Sequence, residues 1–186
     1  MSLRAMSRPR PLLLGSLLLL LLLLAVLATF VVMARQHRLA DRAEAAAWVA
    51  SRHPDVLRLT GQSLDALPNG DYLLVDVRSA AEWSVSHLPA AFRCEDPGAA
   101  VAEARRRHCV RVVVYCSIGE RSSQLAERME ALAPNLLIHD LAGGIFTWAS
   151  EDRTLVDAYG QPTRLVHPYD TSWGALLPPD RRAPLP

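Results

Sequence analysis

The sequence is poor in cysteine and, after its first 34 residues, has no excess of basic side chains. Residues 35–186 carry 17 basic and 19 acidic side chains, a net charge of about −2 with histidine neutral. Because nucleic-acid-binding domains usually present a basic face, we expect no nucleic-acid partner. Cys94, Cys109 and Cys116 are too few for a disulfide framework, and no CxxC pair or Cys/His cluster has zinc-site spacing. We therefore expect neither a metal nor another cofactor.

Acidic residues are absent from Met1–Ala34, and the charged side chains there are three arginines within a basic N-terminal segment, residues 1–10. Residues 11–34 then form an uncharged run that includes the eight leucines Leu17–Leu24. As a helix this run is roughly 36 Å long, enough to cross a bilayer core of about 30 Å. The alternative is a cleaved signal peptide, but the apolar region of a signal peptide is usually only about 7–15 residues long. We expect an uncleaved transmembrane anchor at residues 11–34.

Basic residues flank both ends of this apolar run. Three arginines and the terminal amine precede it, and Arg35, Arg38 and Arg42 follow it. The positive-inside rule then favours a cytoplasmic N-terminus. We expect a single-pass protein of a bacterial inner membrane whose lipid partner contacts residues 11–34 and whose domain faces the periplasm.

The rest of the chain alternates short apolar strands with short helices. A juxtamembrane helix is predicted at residues 35–53 and an α/β domain at residues 54–150. Alternating strands and helices favour a mostly parallel sheet of about five strands with helices on both faces. Residues 151–186, with four prolines after Leu176, are predicted to be an irregular surface tail.

Cys116 lies where a predicted strand ends and a predicted helix begins. Ligands bind at such carboxyl ends of strands in open α/β sheets. A thiol reacts as its thiolate, which helix N-termini and nearby cations such as Arg121 favour. Gly119 allows the backbone to bend so that successive N–H groups can point inward and hold an anion. A buried structural cysteine is the alternative, but this surrounding sequence predicts a reactive one.

Three segments in order resemble the signatures of single-domain rhodanese-like sulfurtransferases. Cys116-Ser117-Ile118-Gly119-Glu120-Arg121-Ser122 resembles the active-site loop of that family. Asp76-Val77-Arg78, followed by Glu82 and His87-Leu88-Pro89, resembles the first signature, and Leu141–Trp148 resembles the closing one. The resemblance covers residues 54–150 and implies a rhodanese-like fold.

The resemblance also implies a double-displacement mechanism. Cys116 would take a sulfane sulfur from a donor such as thiosulfate or a persulfide and pass it to a thiol or a cyanide-like acceptor. The substrate-binding residues would be those whose backbone amides follow the cysteine: Ser117, Ile118, Gly119, Glu120, Arg121 and Ser122. Phosphatases and arsenate reductases of the same superfamily have five residues between cysteine and arginine, whereas this chain has four. A sulfurtransferase is therefore preferred to those enzymes, and a non-catalytic binding or scaffold module at the membrane remains the other alternative.

Four further residues are predicted to support the site rather than to react. Asp76 and Arg78 are expected to tie the edge of the sheet to neighbouring loops, and Glu82 is expected to pair with Arg78. His87 is expected to form a hydrogen bond at a helix end. Glu120 is expected to point to solvent. The family usually has glycines where this chain has Ser86 and Ala90, so we expect an altered turn there.

Overall fold

The apolar runs of the sequence form a five-stranded parallel sheet in the computed structural model, which describes residues 11–68 and 70–185. The strands are β1 (Arg58–Leu59), β2 (Tyr72–Asp76), β3 (Phe92–Arg93), β4 (Arg111–Tyr115) and β5 (Leu137–Leu141). Their order across the sheet is β1-β5-β4-β2-β3, and every neighbouring pair is parallel. The prediction of a parallel sheet of about five strands is confirmed.

Helices cover both faces of this sheet. They are α2 (Gly61–Asp65), α3 (Ala80–Val85), α4 (Pro97–Arg106), α5 (Glu120–Leu132) and α6 (Gly144–Ser150). Successive side chains of a strand point to opposite faces. Val112 and Val114 accordingly share one core with α4 and α5, whereas Val113 and Tyr115 share the other with α2 and α6. Because β4 is buried on both sides, it reads as a continuous apolar run.

Helices α3 and α4 in the domain each begin at a residue type that commonly caps helix N-termini. The Ser79 hydroxyl accepts a hydrogen bond from the Glu82 amide, and the Glu82 side chain accepts one from the Ser79 amide, so the two residues form a capping box. Asp96 caps α4 by accepting from the Ala99 amide at 2.6 Å.

The C-terminal segment is folded onto the domain, so the prediction of an irregular surface tail is wrong. It contains the antiparallel pair β6 (Leu155–Val156) and β7 (Pro162–Thr163), helix α7 (Thr171–Gly174) and a 3-10 helix (Pro179–Arg181). Three apolar residues of this segment, Leu155, Val166 and Leu177, are buried in the same core as α6. Their wide, irregular spacing produces no periodic pattern, which is why the sequence did not predict their burial.

The turn after α3 contains a strained residue. Ala90 adopts a left-handed φ of 61°, a conformation that glycine takes without strain. The turn therefore holds this conformation with alanine where the family has glycine.

Helix α1 extends over Pro11–Arg52. The chain divides into two compact units, the first ending at Ala40 and the second formed by Asp41–Pro186. The predicted basic segment, residues 1–10, lies outside the described residues, as do the side chains of residues 11–17 and 34–40. Within the part of the chain that the structure describes, no helix is both long and apolar enough to cross a membrane.

Candidate active site

The cradle, as we name the loop Cys116–Arg121, connects the end of β4 to the start of α5. Cys116 is only 1% exposed, and its sulfur accepts a hydrogen bond from the Gly119 amide at 3.1 Å. Gly119 has a left-handed φ of 114°, which turns the backbone back toward the sulfur. The Gly119 amide thus provides a hydrogen-bond donor to the Cys116 sulfur.

The closing signature, Leu141–Trp148, binds the cradle through backbone hydrogen bonds. The amides of Ile145 and Phe146 donate to the carbonyl oxygens of Cys116 and Ser117 at 2.9 and 3.1 Å. Gly144 makes this approach possible, because a Cβ atom there would overlap the Cys116 carbonyl oxygen. The first two carbonyl oxygens of the cradle thus accept hydrogen bonds from the closing signature.

Glu82 and Arg121 form the polar side of the cradle. The Arg121 guanidinium donates to both carboxylate oxygens of Glu82 at 2.7 and 2.9 Å and to the Ser117 hydroxyl at 3.0 Å. Burial raises the pKa of Glu82, but its hydrogen bonds with Arg121 and Ser79 lower it to about 2. Burial lowers the pKa of Arg121, but the Glu82 pair and the nearby Cys116 raise it above its ordinary value. Both groups are therefore charged and mutually neutralised.

The predicted pair between Glu82 and Arg78 is wrong. Arg78 instead binds Asp76, with Nη2 to Oδ2 at 2.6 Å, and donates to the Ser86 carbonyl at 2.6 Å. Opposite charges four residues apart meet when both lie on one helix. Arg78 precedes α3, so the spacing does not apply to it. Asp76 and Arg78 do connect the end of β2 to the turn after α3.

His87 lies at the C-terminal end of α3 and does not line the cavity at Cys116. Its Nδ1 lies 3.3 Å from the Trp83 carbonyl oxygen, and its ring stacks on the Trp83 ring at 3.6 Å between centroids. Burial lowers the pKa of His87. Its contacts are those of a helix-end residue.

The sequence predicts that Glu120 points to solvent, but the structure places its side chain in the lining of the site. Its side chain is 18% exposed and lines the cavity at Cys116. One carboxylate oxygen accepts from Arg52 Nε at 3.1 Å, and the other lies 3.3 Å from His53 Nε2. Arg52, the last residue of helix α1, and His53, the residue after it, thus hold the Glu120 carboxylate.

Ser122 faces away from the cavity, toward a buried carboxyl group on β5. Its hydroxyl donates to Asp140 Oδ1 at 2.6 Å, and Asp140 is 1% exposed. Burial raises the pKa of Asp140 to about 7, although Ser122 and the charge of Arg58 oppose the rise. A Cβ atom at Gly119 would lie 3.0 Å from Asp140 Oδ2. Asp140 thus lies directly beneath the cradle.

Three aromatic side chains form the outer side of the site, and sequence reasoning missed all of them. Trp48, Tyr169 and Trp173 line a cavity of about 120 Å³ with Cys116, Ser117, Ile118, Glu120 and Arg121. We call these three residues the aromatic wall. The rings of Trp48 and Trp173 have centroids 6.2 Å apart, and the Arg121 guanidinium lies 5.0 Å from the Tyr169 ring centroid. No motif or spacing in the sequence connects Trp48 to a cysteine 68 residues later.

Cys94, Cys109 and Cys116 are all free thiols. Cys94 is half-buried and donates to the Asp96 carbonyl at 3.3 Å, and Cys109 is buried. Among the residues that the structure describes, no group of His, Cys, Asp and Glu side chains is arranged to hold a metal ion.

Comparisons with known proteins agree on the fold. The rhodanese-like domain family matches residues 59–151. No curated protein matches the sequence significantly. A thiosulfate sulfurtransferase of Pseudomonas aeruginosa is 21% identical with a TM-score of 0.50, covering 73% of this chain and 26% of that one.

Two further solved structures have lower TM-scores. A rhodanese-related protein of Thermoplasma volcanium is 23% identical with a TM-score of 0.41, covering 54% of this chain and 97% of that one. An As-Sb reductase of Leishmania major is 10% identical with a TM-score of 0.48, covering 59% of this chain and 92% of that one. At these identities the likeness concerns the fold alone.

Proposed function

Because the chain belongs to the rhodanese-like family, we propose that it is a sulfurtransferase that carries sulfane sulfur as a persulfide on Cys116. In the first step the Cys116 thiolate attacks the outer sulfur of the donor. The sulfur–sulfur bond of the donor breaks, and its electron pair leaves with the departing sulfite or thiolate. In the second step an acceptor thiol or a cyanide-like nucleophile attacks the outer sulfur. The bond between this sulfur and Cys116 breaks, and its electron pair remains on Cys116 as the thiolate.

The observation that carries this proposal is the hydrogen bond from the Gly119 amide to the Cys116 sulfur at 3.1 Å. It requires the left-handed Gly119, the helix that begins at Glu120, and the carbonyls of Cys116 and Ser117 bound to Ile145 and Phe146. A cysteine that served only to fill the core would need none of these features. The same N–H can stabilise the thiolate before the transfer and the persulfide after it.

Intact-mass measurement of the full chain after incubation with sulfane donors tests the proposal. We expect one added sulfur atom on the wild-type protein, removed by a thiol and absent from Cys116→Ser. Cys109→Ser is the matched control. Cys109 is also buried, but it precedes the start of β4, whereas the cradle follows the end of that strand. An adduct that persists in Cys116→Ser, or none with any donor, would refute the proposal.

The burial of Cys116 favours one alternative, a rhodanese-like module that binds a partner without reacting. Such a module predicts that iodoacetamide alkylates Cys116 no faster than an ordinary buried thiol at every pH. Phosphatase or arsenate reductase activity is disfavoured because Glu82 already neutralises Arg121. Turnover of an aryl phosphate, lost in Cys116→Ser, would favour that chemistry instead.

We also propose that residues 11–34 anchor the protein in a bilayer with the domain on the periplasmic side. In support, the large apolar side chains described between Leu18 and Met33 are exposed. A reporter fused after the C-terminus should be active if it works only outside the cytoplasm and inactive if it works only inside. The opposite pattern, or release of the full chain from membranes by alkaline carbonate, would contradict this anchor.

A further inference from the structure

The aromatic wall comes from outside the family's domain. Trp48 lies before residues 59–151 and Tyr169 and Trp173 lie after them. Cys116 itself is only 1% exposed, and all three rings line the cavity beside it. A donor that enters this cavity therefore meets aromatic rings that the domain's own residues do not supply.

The wall presents apolar surface that is not used for folding. The side chains of Trp48 and Tyr169 remain 42% and 48% exposed, and Trp173 is half-buried. Burying such rings against an apolar group is favourable, because it removes apolar surface from water. The cavity of about 120 Å³ is several times the roughly 10–15 Å³ that one water molecule needs. It therefore has room for an organic group.

The charges of the site do not favour an inorganic dianion. The two charged residues that line the cavity, Glu120 and Arg121, are each held in an ion pair. Glu82 neutralises Arg121, and Arg52 neutralises Glu120. A dianion such as thiosulfate would meet no cation without a partner there and would lose its hydration against indole rings.

Resting on the sulfurtransferase function, we propose that the donor is an organic sulfane compound with an apolar group, selected by the wall of Trp48, Tyr169 and Trp173. The donor belongs to the class of organic persulfides and thiosulfonates. The Cys116 thiolate attacks the terminal sulfur, a new sulfur–sulfur bond forms, and the old one breaks. The electron pair leaves with the organic thiolate or sulfinate, whose apolar group remains against the wall until it is released. No oxidant or reductant is required.

Two thiosulfonates that differ only in their organic group measure this selection. Benzenethiosulfonate and methanethiosulfonate have the same reacting atoms, and thiosulfate is the inorganic comparison. The rate of persulfide formation on Cys116 in the full chain is followed by intact mass at several donor concentrations. We expect wild-type protein to react with the benzene compound roughly tenfold or more faster than with the methane compound, as apolar pockets discriminate.

Substitutions in the wall locate the source of the preference. Trp48→Ala and Trp173→Ala should reduce the preference toward unity, because each should slow the reaction with benzenethiosulfonate more than the reaction with methanethiosulfonate. Trp173→Phe should restore most of the preference. Tyr159→Ala is the control, because Tyr159 is 88% exposed and does not line the cavity; it should change neither rate.

The outcomes separate the two proposals. Persulfide formed at equal rates from both thiosulfonates, or a preference unchanged in both tryptophan variants, would overturn the selection by the wall and leave the sulfurtransferase function standing. Faster reaction with thiosulfate than with benzenethiosulfonate would overturn it as well. Persulfide from none of the three donors would overturn the function itself.

Discussion

The two sides of the Cys116 cavity are built in opposite ways. The inner side consists of Glu82 and the cradle, and its charged side chains are held in ion pairs. Arg121 donates to Glu82 through Nη1 and Nη2. The aromatic wall is apolar and half-exposed, and it comes from sequence far from the cysteine on both sides. Under the proposed function, we expect rigidity and reactivity to depend on the inner side and selection of the donor to depend on the wall. Changes to the inner side should therefore affect stability as well as rate.

Gly144→Ala should have the largest effect. A Cβ atom there would overlap the carbonyl oxygens of Cys116 and Ser117, and Gly144 also has a left-handed φ of 55°. We expect a loss of about 3–5 kcal/mol in the free energy of unfolding, measured by urea denaturation of the full chain, and loss of the persulfide. Gly160→Ala is matched in its left-handed φ but has open space around it, so it should lose only about 1–2 kcal/mol. Equal losses in the two variants would contradict the role of the close approach.

Asp140→Asn should change how stability depends on pH. The pKa of Asp140 rises from its ordinary 3.8 to about 7 on folding, so the folded protein binds more protons between those values. Its contribution to stability is therefore present below about pH 4 and lost as the pH rises through 7. Between pH 4 and pH 8 the variant should gain up to roughly 4 kcal/mol relative to wild type. Unfolding at both pH values measures this gain, and Trp173→Ala, which removes no ionisable group, should follow the wild-type pH dependence.

Glu82→Gln should weaken the inner side by removing the charge that holds Arg121. We expect a loss of about 1–3 kcal/mol at pH 7 and slower persulfide formation. Because the pKa of Glu82 is about 2, its stabilisation is present above its ordinary 4.5 and lost as the pH falls toward 2. The loss should therefore shrink in acid. Glu95→Gln, in an exposed pair with Arg93, is the control and should change stability by less than about 1 kcal/mol.

Ala90→Gly should have the smallest effect and the opposite sign. Relief of the left-handed φ of 61° should stabilise the protein by up to about 1 kcal/mol. Ala91→Gly, at a neighbouring residue without positive φ, should destabilise it instead. Neither change should alter donor preference, since both lie away from the cavity.

Local features of the sequence predicted most of the fold and the inner half of the site. The β-branched run before Cys116, the capping residues Ser79 and Asp96, and Gly119 act within a few residues of their own position. Glu82 was assigned the wrong partner because its cation, Arg121, is 39 residues away and becomes adjacent only when α3 and α5 are placed by the sheet. The wall was missed for the same reason, since Tyr169 and Trp173 belong to a distant segment whose Val166 and Leu177 are buried in the core of the domain.

The position of the wall has a practical consequence for comparing proteins of this kind. Two chains could share every residue of the family domain and still use different donors if their flanking segments differed. Under the proposed function, exchange of those flanks should change the preferred donor without altering the nucleophile. A fragment cut at residues 59 and 151 would keep Cys116 but lose Trp48, Tyr169 and Trp173. Donor screens therefore require the span Asp41–Pro186 at least.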